Sequence, residues 1–415
     1  MFIQDLKIGW YLATRQLRRT NPWTTVLIVF VMVLTFLNLT VISGILVGLI
    51  EGSVQQNKNS YTGDIIVSTL DQKKYIENSP YVVSVVKNNS YIKYSSVRYI
   101  TGGSLEANYK LKTSDKDKIE SASAYIAGVN PDDEENVTNI YKSLVEGSFL
   151  VEGDYDQVVV GSDLLKKYSR IEVPGFEAID AGVGSLVRLR IGDLTREVVI
   201  KGIIKSKVDE ISRRVFLPEN QLRAMLGRDD YGINEISIKI NDGVNAVDVK
   251  NSLTASNLNS FAKVQTFEEA IPKFLDQIKL TFALLGNIIS LIGLVVASIT
   301  VFIVIFINAI TRKKFIGILK AIGIRGRAIE WSYIFQSFFY AVVGSAIGLV
   351  VLYGMAQPFV AAHPIDFPFS DGIIVAPLNE SFFKVMLLII ATILAGYIPA
   401  RMIVRKNTLD SVLGR

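Results

Sequence analysis

Residues 280–331 read LTFALLGNIISLIGLVVASITVFIVIFINAITRKKFIGILKAIGIRGRAIEW. The part from 280 to 310 contains no aspartate, glutamate, lysine or arginine. As a helix with a rise of about 1.5 Å per residue it would be roughly 45 Å long, more than the ~30 Å hydrocarbon core of a bilayer. A basic segment follows at 311–327, and a second apolar block begins at Trp331. The stretch therefore predicts a spanning helix, a short amphipathic helix in a basic loop, and the start of another spanning helix.

The hydrophobic residues, 50% of the 415, cluster in blocks that are nearly free of charge. The blocks are 22–50, 280–310, 331–357 and 385–400. A transmembrane helix needs about 20 apolar residues, and the fourth block reaches that length if it starts at 382 and Lys384 extends to the interface. We therefore predict a multi-pass α-helical membrane protein with four transmembrane helices. The first block is longer than the apolar core of a signal peptide, so we expect a permanent anchor.

The net charge of +5 is distributed unevenly along the chain. Basic residues precede the first block, fill the loop 311–330 and follow the fourth block, whereas the loop 358–381 contains no lysine or arginine. This positive-inside pattern predicts that both termini and the basic loop are cytoplasmic in a cell (inner) membrane protein. The membrane topology explains where the basic residues lie, so we expect no nucleic-acid partner. The expected partner of the apolar blocks is the lipid bilayer.

The first 20 residues carry apolar side chains three and four apart, which predicts a cytoplasmic amphipathic helix. The stripe consists of Ile3, Leu6, Trp10, Ala13 and Leu17. Such a helix could lie on an anionic inner leaflet or pack on its own bundle, and the pattern leaves both alternatives open.

Residues 51–268 are rich in charge and alternate with a period of two, which is typical of strands. Strands are predicted at 63–68, 81–86, 90–100, 157–160, 186–191, 197–204, 214–217 and 235–240, and short helices at 70–77, 162–168, 218–226 and 244–254. The polar stretch 101–120 is a candidate loop or lobe junction. About 215 residues can bury a core of their own, so we predict a large α+β extracytoplasmic domain inserted between helices 1 and 2. A helical stalk at 269–279, with a kink near Pro272, would lead into the second span through 310.

Residue types that carry chemistry are scarce. The chain has no cysteine and one histidine, His363, which we expect to be a solvated loop residue. The acidic run at 132–135 is expected to be a solvated turn. No G-x-x-x-x-G-K-[ST] phosphate-binding loop occurs, and the four apolar blocks contain no charged residue. We expect no catalytic, metal or cofactor site, and infer that energy arrives from a partner.

Two glycine stripes with a spacing of four residues lie in the first and third predicted spans. They are Gly44, Gly48 and Gly52, and Gly344 and Gly348. Small residues at this spacing let two helices approach closely. The stripes could mark a dimer interface or packing within one bundle.

Several segments resemble FtsX-like permeases. The segment 315–323, then Gln336 and the glycine stripe 344/348, resembles the loop and third helix of that family, and the segments 396–401 and 409–413 resemble its C-terminal pattern. In the polar domain, the order of 63–67, 127–129, 145–149, 158–161, 202–204 and 215–218 resembles MacB-like periplasmic domains of macrolide exporters. The resemblance covers essentially the whole chain.

The resemblance implies an ABC transporter permease of the mechanotransmission type, in which two permease subunits, identical or paralogous, pair with two ATPase subunits. ATP and magnesium would be bound by a separate ATPase partner. The basic loop would contact that partner through an apolar face with basic residues at its rim. These candidate coupling residues are Arg312, Lys313, Lys314, Phe315, Ile318, Leu319, Ala321, Ile322 and Gly323. The alternative for the loop is an interfacial helix that only anchors the two spans.

The implied function is export or extraction of a hydrophobic or amphiphilic cargo, such as a lipoprotein or drug-like compound, with a possible extracytoplasmic adaptor or cargo carrier. An alternative is a non-transporting regulator of extracytoplasmic cell-wall hydrolases, as in the cell-division members of the superfamily, whose outer domains are much smaller. A membrane-anchored receptor would leave the basic loop unexplained.

Overall fold

The computed structural model describes residues 2–19, 21–111, 119–169, 177–271, 273–367 and 370–405. The kink predicted at Pro272 and the motif predicted at 409–413 lie outside these residues. The chain divides into two compact units. The membrane unit comprises 1–51, 276–367 and 371–415, and the sheet unit comprises 52–275 and 368–370.

The helices and strands are numbered in chain order. The helices are α1 (Phe2–Arg19), α2 (Pro22–Leu37), α3 (Ser43–Asn57), α4 (Ser79–Lys87), α5 (Pro131–Val137), α6 (Asp209–Ser212), α7 (Glu219–Met225), α8 (Ala246–Ala255), α9 (Lys273–Thr311), α10 (Lys313–Ala321), α11 (Gly326–Val351), α12 (Gln357–Ala362) and α13 (Leu378–Val404). The strands are β1 (Ile65–Thr69), β2 (Ile92–Ala107), β3 (Glu120–Val129), β4 (Leu144–Gly147), β5 (Gln157–Gly161), β6 (Leu186–Ile191), β7 (Leu194–Ile204), β8 (Arg214–Pro218), β9 (Glu235–Ile240), β10 (Ala262–Thr266), β11 (Ile365–Phe367) and β12 (Ser370–Gly372).

Four helical runs within the described residues are long and apolar enough to cross a membrane. They are Pro22–Thr62, Leu280–Thr311, Gly326–Ala362 and Leu378–Val404. The predicted multi-pass class with four spans is confirmed. The first run continues beyond the predicted end at 50, through α3 and a π-helical turn at Lys58–Thr62. It ends at Gly63, where a φ of 67° takes the backbone out of the helix.

The sheet unit is built on a ten-stranded mixed sheet, which confirms the predicted α+β character of this part of the chain. The strand order is β10-β1-β9-β2-β3-β8-β5-β7-β4, and β6 pairs with β2 and β7. Most pairs are antiparallel, whereas β3–β8 and β5–β7 are parallel. The period of two is visible in β6, where Val187, Leu189 and Ile191 are buried in one core cluster.

Two predicted elements of this unit are wrong. The predicted strand 81–86 is the helix α4, which begins at Ser79 after the N-cap Asn78, has a proline in its first turn, and buries Val82 and Val86 at i and i+4. The predicted helix 70–77 is absent because its backbone bonds elsewhere. Ile76 N–H donates to Ile233 O at 2.8 Å, and the Asn234 side chain donates to Lys74 O at 2.8 Å.

Two further segments differ from the prediction. The predicted helix 162–168 is only a 3-10 turn at Ser162–Leu164, because Lys166 N–H then donates to Ile179 O at 2.9 Å. The stretch 101–120, predicted to be a loop or lobe junction, begins and ends in strand, and its residues 112–118 lie outside the described part of the chain. β2 continues to Ala107 and pairs with β3, with Gly103 opposite Ala124. Because β2 has strands on both sides, its backbone groups are satisfied although its side chains are polar.

The acidic run 132–135, expected to be a solvated turn, forms most of α5 instead. Glu134 is fully buried and receives two hydrogen bonds from Arg98, at 2.9 Å to Oε2 and 2.5 Å to Oε1. Asn130 caps the helix by accepting hydrogen bonds from the backbone N–H groups of 132 and 133. Glu134 is therefore part of the core, and the other three acidic side chains of the run are at least partly exposed.

The ion pair extends into a buried network around Tyr61. Arg98 Nη1 and Arg214 Nη1 lie 3.5 and 3.6 Å from Glu235 Oε2, and Tyr61 donates to Glu235 Oε1 at 2.7 Å. Both guanidinium groups lie beside the Tyr61 ring, 5.3 and 5.2 Å from its centroid. The two arginines balance the charges of Glu134 and Glu235, so the network is neutral.

Four of the five glycines in the stripes, Gly44, Gly48, Gly344 and Gly348, pack within the membrane unit. A Cβ on Gly344 would lie 2.3 Å from Met32 Cβ, and one on Gly48 would lie 1.9 Å from Ile373 O. Gly348 and Gly44 approach Phe36 and the backbone of residue 375 in the same way, and Gly52 is also buried. Of the two predicted uses of the stripes, the structure shows packing within one chain.

Replacing Gly344 with alanine is expected to destabilise the membrane unit by about 1–3 kcal/mol, because the added methyl group meets a Cβ that cannot move without shifting its helix. Gly354 is the matched control, since a Cβ there meets nothing within 4 Å. Thermal unfolding of the detergent-solubilised chain, followed by tryptophan fluorescence, measures both variants. A Gly344→Ala midpoint equal to that of Gly354→Ala would contradict this packing argument.

Candidate coupling site

The basic loop between the second and third spans contains the helix α10. Gly323, with a φ of 94°, ends it in a Schellman motif. The N–H of Ile324 donates to Leu319 O and the N–H of Gly323 donates to Lys320 O, both at 3.0 Å. Gly323, predicted as a coupling residue, therefore has a local role, because only glycine adopts this backbone conformation at no steric cost.

The apolar side chains of α10 divide between two faces. Ile316 and Leu319 are 1% and 7% exposed and belong to the core cluster of the membrane unit. Phe315, Ile318 and Ile322 are 49%, 51% and 70% exposed. Their spacing of three and four residues places these three on one side of the helix, as in helices that insert an apolar face into a partner's groove.

Leu319, predicted to contact a partner, packs into its own bundle in this chain. Of the other predicted apolar contacts, Ala321 is exposed beside Ile318 and Ile322. The coupling face is defined here as Phe315, Ile318, Ala321 and Ile322.

The charges around the coupling face have one sign. Residues 312–327 include six lysines and arginines and no acidic residue. Lys314 is exposed, whereas Arg312 and Lys313 are partly buried. Arg325 Nη1 lies 3.9 Å from Asp5 Oδ1 of α1. Arg325 therefore ties the loop to the N-terminal helix, and the single sign of the loop's charges suits an acidic partner surface.

The N-terminal helix α1 packs on α11 with a face that the apolar stripe did not predict. Gly9 permits this contact, since a Cβ there would lie 2.6 Å from Trp331 Cβ. Leu12 and Ala13 are buried beside it, whereas Ile3 and Trp10 are 67% and 55% exposed. Of the two alternatives left open, packing on the bundle is observed, and the outward part of the stripe still faces away from it.

The sequence pattern did not reveal a polar contact inside this packing. Gln336 of α11 donates to Gln16 of α1, and both side chains are buried. Gln16 lies four residues after Leu12, on the same buried face of α1 as Gly9, Ala13 and Asp5. Two polar residues on a helix face that is otherwise small and apolar were the available signal. Together with the Asp5–Arg325 pair, the Gln16–Gln336 contact links α1 to the N-cap and to the body of α11.

Comparison with known proteins identifies the part of the chain that contains this site. Residues 287–408 match the family described as FtsX-like permease C-terminal. The macrolide export ATP-binding/permease protein MacB of Burkholderia pseudomallei is 26% identical over 183 residues, which cover 43% of this chain and 27% of that protein. MacB of Rhodopseudomonas palustris is 28% identical over 196 residues, covering 45% of this chain and 28% of that protein.

The ABC transporter permease YtrF of Bacillus subtilis is 26% identical over 130 residues, which cover 29% of this chain and 30% of YtrF. These matches thus span less than a third of each relative. Among solved structures, the periplasmic region of MacB from Actinobacillus actinomycetemcomitans has a TM-score of 0.36 at 18% identity, covering 52% of this chain and 94% of that chain. The extracellular domain of YknZ from Gram-positive bacteria has a TM-score of 0.32 at 12% identity, covering 49% and 98%. Both scores are too low to support a structural conclusion.

The family match contains most of α9 and all of α10, α11 and α13, and therefore the complete coupling face. The sequence similarity to MacB proteins and to YtrF agrees with it. The resemblance to FtsX-like and MacB-like permeases that the sequence predicts is confirmed, and residues 287–408 are the part of the chain that matches the FtsX-like permease C-terminal family.

Proposed function

We propose that this chain is the permease subunit of an ABC transporter and transmits ATP-driven motion from a separate ATPase subunit to its extracytoplasmic domain. The observation that carries the proposal is the coupling face. It presents apolar side chains, in a basic loop between two candidate membrane spans, to the space outside the bundle. An interfacial anchor would need only an apolar stripe, whereas this helix also has a second face, Ile316 and Leu319, which is fixed in the core.

Ile316 and Leu319 hold α10 against the bundle. A force applied to the coupling face would therefore move the spanning helices together with α10, rather than only bending the loop between them. These two side chains belong to the same buried core cluster as residues of α9 and α11, including Ala309 and Ile329. ATP and magnesium would be bound by the partner, which agrees with the absence of a phosphate-binding loop from the 415 residues. A second permease subunit, identical or paralogous, would complete the assembly.

The cargo in this proposal is hydrophobic or amphiphilic, and it would be extracted or exported without passing through the bundle as a hydrated solute. Support comes from the spans, whose predicted apolar blocks contain no charged residue to line an ion or solute pathway. The MacB relatives are named as macrolide export proteins. A macrolide is one example of a hydrophobic or amphiphilic cargo.

The proposal is tested by affinity purification of the full chain from native membranes in mild detergent. We expect a stoichiometric ATPase subunit and hydrolysis that rises when cargo is added. A preparation with no ATPase subunit, repeated after crosslinking, would overturn the proposal. Recovery of the ATPase together with a cell-wall hydrolase, and no stimulation by an amphiphile, would replace export by the regulatory function.

The proposed orientation is tested separately with introduced cysteines, since the natural chain has none. In sealed right-side-out vesicles, a membrane-impermeant maleimide is expected to label Asp242→Cys, whose side chain is 95% exposed. Lys314→Cys should be labelled only after the vesicles are opened, because the basic loop is proposed to be cytoplasmic. Labelling in the reverse order would invert the topology and exclude a cytoplasmic ATPase at α10.

A further inference from the structure

The membrane unit contains a cavity of about 580 Å³ at the end of its helices opposite to α10. Its walls come from the first spanning helix around Ser43, from the first half of the span in α9, and from the start of α13. This volume is in the range of sites that hold a small organic ligand. The coupling face does not contribute to it, so the inference below is independent of the proposed function.

One cation lines the cavity, and its position is unusual for this chain. Lys384 is the only lysine or arginine between Arg327 and Arg401. Its side chain is half-buried among the cavity walls. Within the described part of the chain it makes neither a hydrogen bond nor an ion pair within 4 Å, and Glu380, one turn earlier, is the acidic residue that faces it. A partly desolvated ammonium group at this depth is costly unless an anion accompanies it.

The position of Lys384 along α13 corresponds to the level of lipid head groups. A helix of 27 residues is about 40 Å long, so roughly 5 Å at each end extends beyond a ~30 Å hydrocarbon core. Lys384 lies six residues after Leu378, about 9 Å along the axis. Its Cα is then about 4 Å inside the hydrocarbon, and its four-carbon side chain can reach back to the level of the phosphate groups.

The cavity is polar at one end and apolar at the other. Lys384, Asn287 and Ser43 line the polar end of the cavity. Leu294 and Leu387 line the part that lies further along the helices toward α10. This order matches an amphiphile that enters from the bilayer with its head group at Lys384 and its chain directed toward the membrane centre.

We propose that this cavity binds an anionic phospholipid of the surrounding bilayer. The lipid phosphate pairs with Lys384 and accepts a hydrogen bond from the amide of Asn287, and one acyl chain lies against Leu294 and Leu387. Charge complementarity selects the occupant. A zwitterionic lipid would bring a second cation to Lys384, whereas phosphatidylglycerol brings only an anion. That anion can approach the ammonium group more closely than Glu380 does, since Glu380 and Lys384 form no ion pair within 4 Å in the described residues.

The test is native mass spectrometry of the delipidated full chain, titrated with phosphatidylglycerol or phosphatidylcholine. We expect one tighter site for phosphatidylglycerol. Lys384→Gln should weaken it about tenfold, the usual value of a charge-assisted hydrogen bond, and Lys384→Arg should retain it. Equal affinities for the two lipids, or unchanged binding by Lys384→Gln, would overturn the proposal.

A second pair of variants tests the cavity without removing the charge. Ala283 lines the cavity, so Ala283→Phe should fill it and weaken phosphatidylglycerol binding with Lys384 in place. Ile288 lies on the same helix but outside the cavity and is 53% exposed, so Ile288→Phe should bind like the natural chain. If Ala283→Phe and Ile288→Phe bind phosphatidylglycerol equally well, the lipid binds outside this cavity. This test does not depend on whether Lys384→Gln folds.

Discussion

Replacing Glu134 with alanine is expected to lower the free energy of unfolding of the sheet unit by about 3–5 kcal/mol. Glu134 and Arg98 are both fully buried. Ser96 and Thr138 also donate hydrogen bonds to the carboxylate, at 2.7 and 2.8 Å. Without the carboxylate, Arg98 keeps only Glu235, at 3.5 Å, as a carboxylate partner. The loss is large because a guanidinium group is left buried without adequate compensation, not because the pair itself is strongly stabilising.

The measurement must report on the sheet unit specifically. All three tryptophans, Trp10, Trp23 and Trp331, lie outside residues 52–275, so their fluorescence does not follow its unfolding. Hydrogen exchange of peptides from β2 and β9, measured in the full chain, reports on the unfolding of the sheet unit. Glu135→Ala is the matched control, since Glu135 is an exposed neighbour on the same helix and its loss should change stability by less than about 0.5 kcal/mol. Equal protection in the two variants would exclude a buried ion pair.

The same network predicts a dependence on pH. Burial raises the pKa of Glu134, but the charge of Arg98 and the hydrogen bonds from Arg98, Ser96 and Thr138 outweigh it, and the pKa lies below its usual value. The stabilisation is therefore fully present above the unfolded-state pKa of about 4.3 and is lost as the pH falls through the lower folded-state pKa. Glu134→Gln should remove this acid-dependent part from the unfolding free energy.

Elements that depend on composition alone could be predicted from the sequence. The four spans and the basic loop follow from long uncharged runs and from the placement of lysine and arginine, which no tertiary contact can reverse. In the sheet unit, Tyr81 to Val86 is rich in β-branched residues and fits a strand or a helix face. The choice depends on which residues pack around Val82 and Val86, and local periodicity does not contain that information.

The buried pair Arg98–Glu134 shows a second limit. Its members are 36 residues apart, and each stands in a polar stretch that is typical of exposed segments. Only the pairing of β2 with β3 and the placement of α5 on β2 bring them together. In α10 the limit is different. Phe315, Ile316, Ile318, Leu319 and Ile322 together cover nearly half of the helix circumference, so periodicity identifies an amphipathic helix but not which part of its apolar face the bundle covers.

That division of α10 gives the sharpest test of coupling. Ile318→Asp and Ile322→Asp are expected to weaken association with the ATPase subunit at least about 30-fold, since each places a carboxylate in a contact that is otherwise apolar. Both side chains are more than half exposed in this chain, so folding should be retained. Co-purification of the ATPase and its hydrolysis rate in the assembled complex measure the loss.

Two control variants separate coupling from folding. Leu319→Asp buries a carboxylate in the core of the membrane unit and should lower the yield of folded protein before any effect on coupling is seen. Val247→Asp changes an equally exposed aliphatic residue on α8 of the sheet unit, 50% exposed, and should leave ATPase association unchanged. If Ile318→Asp and Ile322→Asp behave like Val247→Asp, the outward face of α10 is not the contact. The cytoplasmic partner would then have to bind elsewhere on the chain, and the anchor interpretation of α10 would replace the coupling one.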